Sequence, residues 1–290
     1  MNYAKQDRKY FFECGADSKR DLRFADPAIC TPEDNLHNLA YAQLSLRALL
    51  TSWVKFTRKN HVVWWISHGE MLGWFWNGKL LPWDVDWDIQ MSTFQLVQLA
   101  VHNGTMIEDR FLIDVNPASL VRTKQESNMI DARIIDTWTG YFVDITGVTF
   151  LDKSLMLQDY ADEIIGVHAA DHTERIQKLN ETLTSDTVYC KSIHTYEYDD
   201  LIPLYETVVD GLRVWRPKNA VKILLREYNA NALVEESYTV DLRKERWAWN
   251  VGKKVWELAD DEEVEPDTTR TKESLSRLPG ANETSVNEIR

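Results

Sequence analysis

Apolar residues recur along one helix face near the start of the chain: Leu36, Leu39, Leu46, Leu49, Leu50, Trp53 and Val54 stand at helical intervals. Thr31-Pro32-Glu33-Asp34 supplies a start signal, with a hydroxyl cap, proline at the first helical position and acids in the first turn. A long amphipathic helix ending at about Lys59 is predicted. Residues 61–67 are few, β-branched and aromatic, as in a buried strand. Residues 71–76 form a helix-like apolar stretch that Asn77-Gly78 stops. Pro82-Trp83 leads into a second strand carrying Asp84, Asp86 and Asp88. Ser92 caps a helix to about His102, closed by Asn103-Gly104, and Phe111–Val115 is a further strand.

Residues 129–136 and 141–148 flank Thr137-Trp138-Thr139-Gly140, a four-residue connection of the kind that joins antiparallel strands. Residues 149–200 read as helix and loop. Pro217 opens another helix, with Val221, Leu224, Leu225 and Tyr228 on one face. These patterns predict three parts: an extended lead-in over 1–30, a folded domain over 31–255, and an acidic disordered tail over 256–290. The tail holds ten acids and four bases, and so carries −6 of the net −13. Strands mixed with helices, and at least one hairpin, indicate an α/β (α+β) fold with a mixed sheet flanked by helices.

The acidic balance, 33 basic against 46 acidic residues, argues against a general nucleic-acid binder. It leaves nucleotide ligands open, because a divalent cation reverses the local sign of an acidic site. No apolar run approaches a bilayer-spanning length, so no membrane span is expected. The first twenty residues are polar and charged, without the apolar segment of a signal peptide. Cys14, Cys30 and Cys190 are too few and too scattered for a zinc knuckle or a disulfide framework. Twelve Trp residues suit ring stacking, and suit core packing better. Trp74, Trp76 and Trp83 are read as packing residues for that reason.

Chemistry concentrates between Ser67 and Met91. On a strand, alternate residues share a face, so Asp84, Asp86 and Asp88 line one side while Val85, Trp87 and Ile89 enter the core. Three carboxylates so close repel unless solvent or a cation relieves them, and Mg2+ or Mn2+ takes oxygen ligands well. A solvated acidic strand face is the plain alternative. A calcium loop of EF-hand type fails, since Ile89 and Gln95 stand at its glycine and glutamate positions. Asp144 lies among apolar neighbours on a predicted central strand, where it needs a partner. That partner is either a cation shared with Asp86 and Asp88, or Arg133 across the hairpin. His172, His194 and Cys190 make no recognisable catalytic set.

The pattern H-G-x-x-L-G-W-x-x-x-G-x-x-x-P-W-D-x-D-x-D closely resembles the LicD/fukutin family of the nucleotidyltransferase (polymerase β-like) fold, in its fungal branch linked to mannosylphosphate transfer. Ile130-Asp131-Ala132-Arg133, Phe142-Val143-Asp144-Ile145-Thr146, Asp200-Leu201-Ile202-Pro203-Leu204 and Arg216-Pro217-Lys218-Asn219 extend the likeness over roughly residues 35–230. The resemblance implies a metal-dependent phosphotransferase that moves a phospho-sugar or phospho-alcohol from a CDP- or GDP-linked donor to a glycan hydroxyl. Asp84, Asp86, Asp88 and Asp144 would hold Mg2+ or Mn2+, with Asp86, Asp88 and Asp144 catalytic. His68, Gly69, Glu70, Lys79 and Arg133 are the donor-phosphate candidates. Glu70 departs from the family's Ser or Thr, and a carboxylate there repels phosphate unless it points away or binds metal. Two alternatives stand beside this reading: a D-x-D glycosyltransferase, and a catalytically degenerate regulator of a glycan phosphotransferase.

Overall fold

The computed structural model describes residues 10–11, 39–84, 86–122, 128–151, 177, 183, 186–192, 194–240 and 244–259. Helix α1 (Leu39–Asn60) carries the expected apolar face: Leu46, Leu49, Leu50 and Trp53 are fully buried. Its expected start at Thr31 lies outside the described residues. The predicted strand over 61–67 shrinks to β1 (Trp65–Ile66). Helix α2 (His68–Asn77) follows at once and packs on β2 (Trp87–Ser92). Gly73 lets the returning chain lie against α2, since a Cβ there would meet the Lys79 carbonyl oxygen at 2.2 Å.

Ser92 caps α3 (Thr93–Ala100), its hydroxyl accepting the Gln95 amide, as the sequence indicates. Then come β3 (Met106–Ile107), β4 (Phe111–Val115), β5 (Ala132–Asp136) and β6 (Phe142–Phe150). Strands β5 and β6 form the predicted antiparallel hairpin. Most of the stretch read as helix and loop, including residues 152–176, lies outside the described residues; its described part contributes β7 (Thr187–Tyr189), β8 (Thr195–Glu197) and the short α4 (Tyr198–Leu201). Three-residue strands show too little alternation to register as a period.

Among the described residues these eight strands form one mixed sheet in the order β1-β2-β6-β5-β4-β3, with β7 on β6 and β8 on β7. The β2–β6 pair is parallel and its neighbours are antiparallel. The α+β expectation is met. Hairpin β9 (Tyr205–Val209) and β10 (Leu212–Arg216) precedes α5 (Ala220–Tyr228) and α6 (Asn231–Val234). The family-like segments around Asp200 and Asn219 meet here, Asn219 donating to Asp200 at 2.9 Å and so seating the start of α5.

A last three-stranded sheet, β11 (Ser237–Val240), β12 (Glu245–Asn250) and β13 (Val255–Leu258), lays Trp247, Trp249 and Trp256 against Trp76 and Trp83. Trp83 also stacks on Tyr238 at 4.6 Å, and Trp74 donates to Thr207 at 2.7 Å. All three indoles beside the motif therefore pack, as their spacing implies. Strand β13 runs three residues into the stretch assigned to the acidic tail, because the buried Trp256 ring closes this cluster. Within the lead-in, Phe11 is buried and Tyr10 donates to Asp114 at 2.8 Å. No described helix is long and apolar enough to cross a membrane.

Candidate active site

The carboxylates gather where α2 begins and β2 emerges. One expectation needs correcting: Asp84 and Asp86 are not on the strand. They sit on the approach to it, Asp84 in a turn closed by its amide to the Leu81 carbonyl at 3.0 Å, and β2 begins only at Trp87. Asp88 alone of the three lies on β2, with Trp87 and Ile89 buried on the opposite face as expected. The apolar anchor takes hold at Trp87, so the chain before it need not pair.

Across the parallel pair, Asp88 stands in register with Asp144 on β6. Asp144 is in turn in register with Arg133 on β5, which donates through Nε to Oδ1 at 2.5 Å and through Nη2 to Oδ2 at 3.1 Å. The guanidinium also lies over the Phe142 ring at 3.6 Å. Arg133 is thus a partner of Asp144 and is buried. Of the two partners the sequence left open for Asp144, the structure supplies the arginine directly.

Gly69 occupies the first turn of α2, where helix amides are unpaired and suited to anions. A Cβ at Gly69 would meet Asp84 Oδ2 at 2.7 Å, so the glycine is what lets this carboxylate lie against the turn. Glu70, next in line, points inward. Its side chain is buried, its Oε2 has no hydrogen-bond partner, and it faces Asp88, Asp84 and Asp86. Burial and then these three charges push its carboxyl well above the usual range. Glu70 is therefore a floor to the carboxylates and not a phosphate contact.

Burial, then the charge of Asp86, raises Asp88 to about 7, with His68 and Arg133 opposing and Asp144 assisting. A site that forces carboxylates toward protonation this strongly, over a buried acid with an unpartnered oxygen, fits a bound divalent cation. Mg2+ needs only one or two carboxylates when substrate phosphates complete its shell.

Lys79 is not brought here. It is exposed beyond the C-terminal end of α2, roughly 15 Å of helix from the His68 turn. His68 faces inward as well, with Nδ1 3.1 Å from Glu227 of α5 and Nε2 3.4 Å from the Gln90 amide. Glu227 carries no signal in the sequence, and His194, set aside there with His172 and Cys190, gains a partner only here. Neither lies in a motif, and only the packing of α5 and of the turn before β8 brings them to His68. Elsewhere, Asp131 and Asp136 from the family-like segment are fully buried and bound to Arg122 and Arg110, which makes them structural anchors.

A mixed sheet with aspartates in register on adjacent parallel strands, set beside a helix start, defines an α+β protein with an acidic cluster at that helix start. Residues 61–219 match the family model for the LicD/FKTN/FKRP nucleotidyltransferase domain, and the chain belongs to this family. It is similar to two proteins of Saccharomyces cerevisiae, in keeping with the fungal branch. It is 32% identical to mannosyltransferase regulator 4 over 174 residues, 54% of this chain and 14% of that protein. It is 34% identical to mannosyltransferase regulator 14 over 154 residues, 49% of this chain and 16% of that protein. The matched region thus spans about one sixth or less of either relative.

Proposed function

We propose that the protein is a metal-dependent phosphotransferase of glycan modification, moving a phospho-sugar or phospho-alcohol from a nucleotide-activated donor to a glycan hydroxyl. The observation that carries this reading is the register pairing of Asp88 with Asp144 beside the first turn of α2. Asp86, Asp88 and Asp144 would hold Mg2+ or Mn2+, with Asp84 close by against Gly69. A divalent ion held by these carboxylates would supply the positive charge that offsets the negative charge building up in an in-line displacement at phosphorus.

The chain's own groups do the rest. Amides of the Gly69 turn meet the phosphates, and Arg133 holds the Asp144 carboxylate in one orientation. The acceptor oxygen attacks the phosphorus that bears the transferred group, and the P–O bond to the nucleotide breaks. A nucleoside monophosphate leaves, and the hydroxyl proton passes to a carboxylate of the cluster. Asp144 serves better as a fixed ligand than as the base, because Arg133 engages both of its oxygens.

A second reading has its own support: both relatives are named as regulators, and Glu70 replaces the family's hydroxyl residue. Here the domain controls a mannosyltransferase without chemistry of its own. Nucleotide release from CDP-, GDP- and UDP-linked donors with Mn2+ and glycan acceptors separates the readings. Monophosphate release that chelator and Asp86→Asn/Asp88→Asn abolish supports phosphotransfer. Diphosphate release indicates glycosyl transfer. No release from any donor rejects catalysis in favour of regulation.

A further inference from the structure

Gln90 follows Asp88 by two residues on β2, so its side chain leaves the same face of the sheet about 7 Å further along. Around it stand residues that the proposed chemistry does not use: His194 from the turn before β8, Tyr196 on β8 and Glu227 on α5. His68 joins them from the first turn of α2. His68 Nδ1 is 3.1 Å from Glu227 Oε2, and His194 Nδ1 is 3.6 Å from Glu227 Oε1. The two imidazole centroids are 4.5 Å apart. Among the described residues, His68, His194 and Glu227 are the one group of three metal-ligating side chains whose donor atoms all lie within 4.8 Å of one another.

Two ligands on a tetrahedral zinc ion, each at about 2.0–2.2 Å, are about 3.3–3.5 Å apart. The two nitrogen–oxygen separations fall on either side of that spacing and run to different oxygens of the Glu227 carboxylate, so small side-chain shifts would seat one ion among the three groups. Hydrogen bonding explains the first contact and not the second, since 3.6 Å is beyond hydrogen-bond range. Burial, and then the neighbouring His68, lower the proton affinity of His194. Burial opposes protonation of His68, yet the hydrogen bond and charge of Glu227 raise its proton affinity overall, so metal binding there must release a proton.

Outer contacts then fix the carboxylate, as metal ligands require. Tyr196 donates to Glu227 Oε1 at 2.9 Å, Gln90 donates to Tyr196 at 3.1 Å, and Trp65 donates to Gln90 Oε1 at 3.2 Å. Because the indole only donates, it sets which way the Gln90 amide points.

We propose that His68, His194 and Glu227 form a site for a divalent transition ion of the zinc class, chemically distinct from the Mg2+/Mn2+ carboxylates and independent of whether the protein is a transferase. Two imidazoles and one carboxylate leave a fourth position for water. Coordination at His68 Nδ1 replaces its hydrogen bond to Glu227 and puts the ring's proton on Nε2, so the long 3.4 Å contact with the Gln90 amide nitrogen, then donor against donor, gives way when the ion binds. The ion ties α5 and the β8 turn to the start of α2. There His68 holds a left-handed backbone, φ 48°, immediately before Gly69.

The test uses the full chain, stripped with chelator and dialysed against Zn2+ in excess Mg2+, with metal counted by elemental analysis. Co2+ loading supplies an independent spectrum. One Zn2+ retained per chain, intense tetrahedral Co2+ bands, at least about tenfold weaker Zn2+ binding in His194→Gln, and retention in Asp86→Asn are expected. No retained Zn2+, weak octahedral Co2+ bands, or zinc lost in Asp86→Asn but kept in His194→Gln would overturn the site. The Co2+ spectrum of the unmodified chain decides the matter even where a variant fails to fold.

Discussion

Asp88 and Asp144 are register partners on adjacent parallel strands, and Arg133 and Asp114 continue the row across β5 and β4. Neighbouring strands lie about 4.8 Å apart, so register partners present their side chains together on one face. Arg133 compensates Asp144 directly. Partial burial, then the facing charges of Asp86 and Asp144, raise the Asp88 carboxyl to about 7.

Stability in chelator should therefore fall with rising pH. A folded-state value above the ordinary 3.8 means that the group's contribution is full below that pH and is lost as pH climbs through about 7. Glu70 acts in the same direction. Asp88→Asn removes this share, so the variant should melt a few degrees above wild type at pH 8 in chelator, at about 2–4 °C per kcal/mol for a domain of this size. The difference should shrink at pH 5 and on adding Mn2+. Thermal unfolding at both pH values, with and without metal, checks it.

Glu70→Gln separates two roles for the buried acid. The amide keeps an acceptor for the Asp88 backbone N–H and loses the ionisable proton. If Glu70 works as a protonated floor, nucleotide release should stay within about threefold of wild type while stability at pH 8 rises, since a buried acid costs most when it ionises. A drop of more than about tenfold would show that its charge holds metal.

Arg133→Ala should be the most destabilising change at the site. It strands a buried carboxylate, which costs about 3–5 kcal/mol when one partner of a buried ion pair is removed. Arg133→Lys should fall between wild type and alanine, keeping the charge but losing the two-bond fork and the stack on Phe142. Denaturant titration of the three proteins gives the order.

Gly69→Ala should spare the fold and impair the site. The new methyl meets the end of the Asp84 side chain at 2.7 Å, a group that can swing away. Mn2+ affinity and nucleotide release should drop by about 10- to 100-fold, the usual effect of displacing a group that orients metal ligands. The circular dichroism spectrum should not change. Isothermal titration with Mn2+ measures the affinity.

Where a pattern is local, the sequence alone was enough. The face of α1, the Ser92 cap, strand β4 and the β5–β6 hairpin follow from periods and turn residues within a dozen positions. So does the concentration of acids between Asp84 and Asp88, and the segment resemblance that the family match bears out. Tertiary structure alone decided which acid faces which. Asp88 and Asp144 are 56 positions apart, and a strand's own alternation says which side a residue faces but not which neighbour it meets. The same holds for Arg133, given to Asp144 by hairpin register, and for His194 and Glu227, whose elements reach His68 only through packing. Asp84 and Asp86 read as strand because alternation continues through them. The fold ends pairing at Trp87, since backbone hydrogen bonds form only where a neighbouring strand is present.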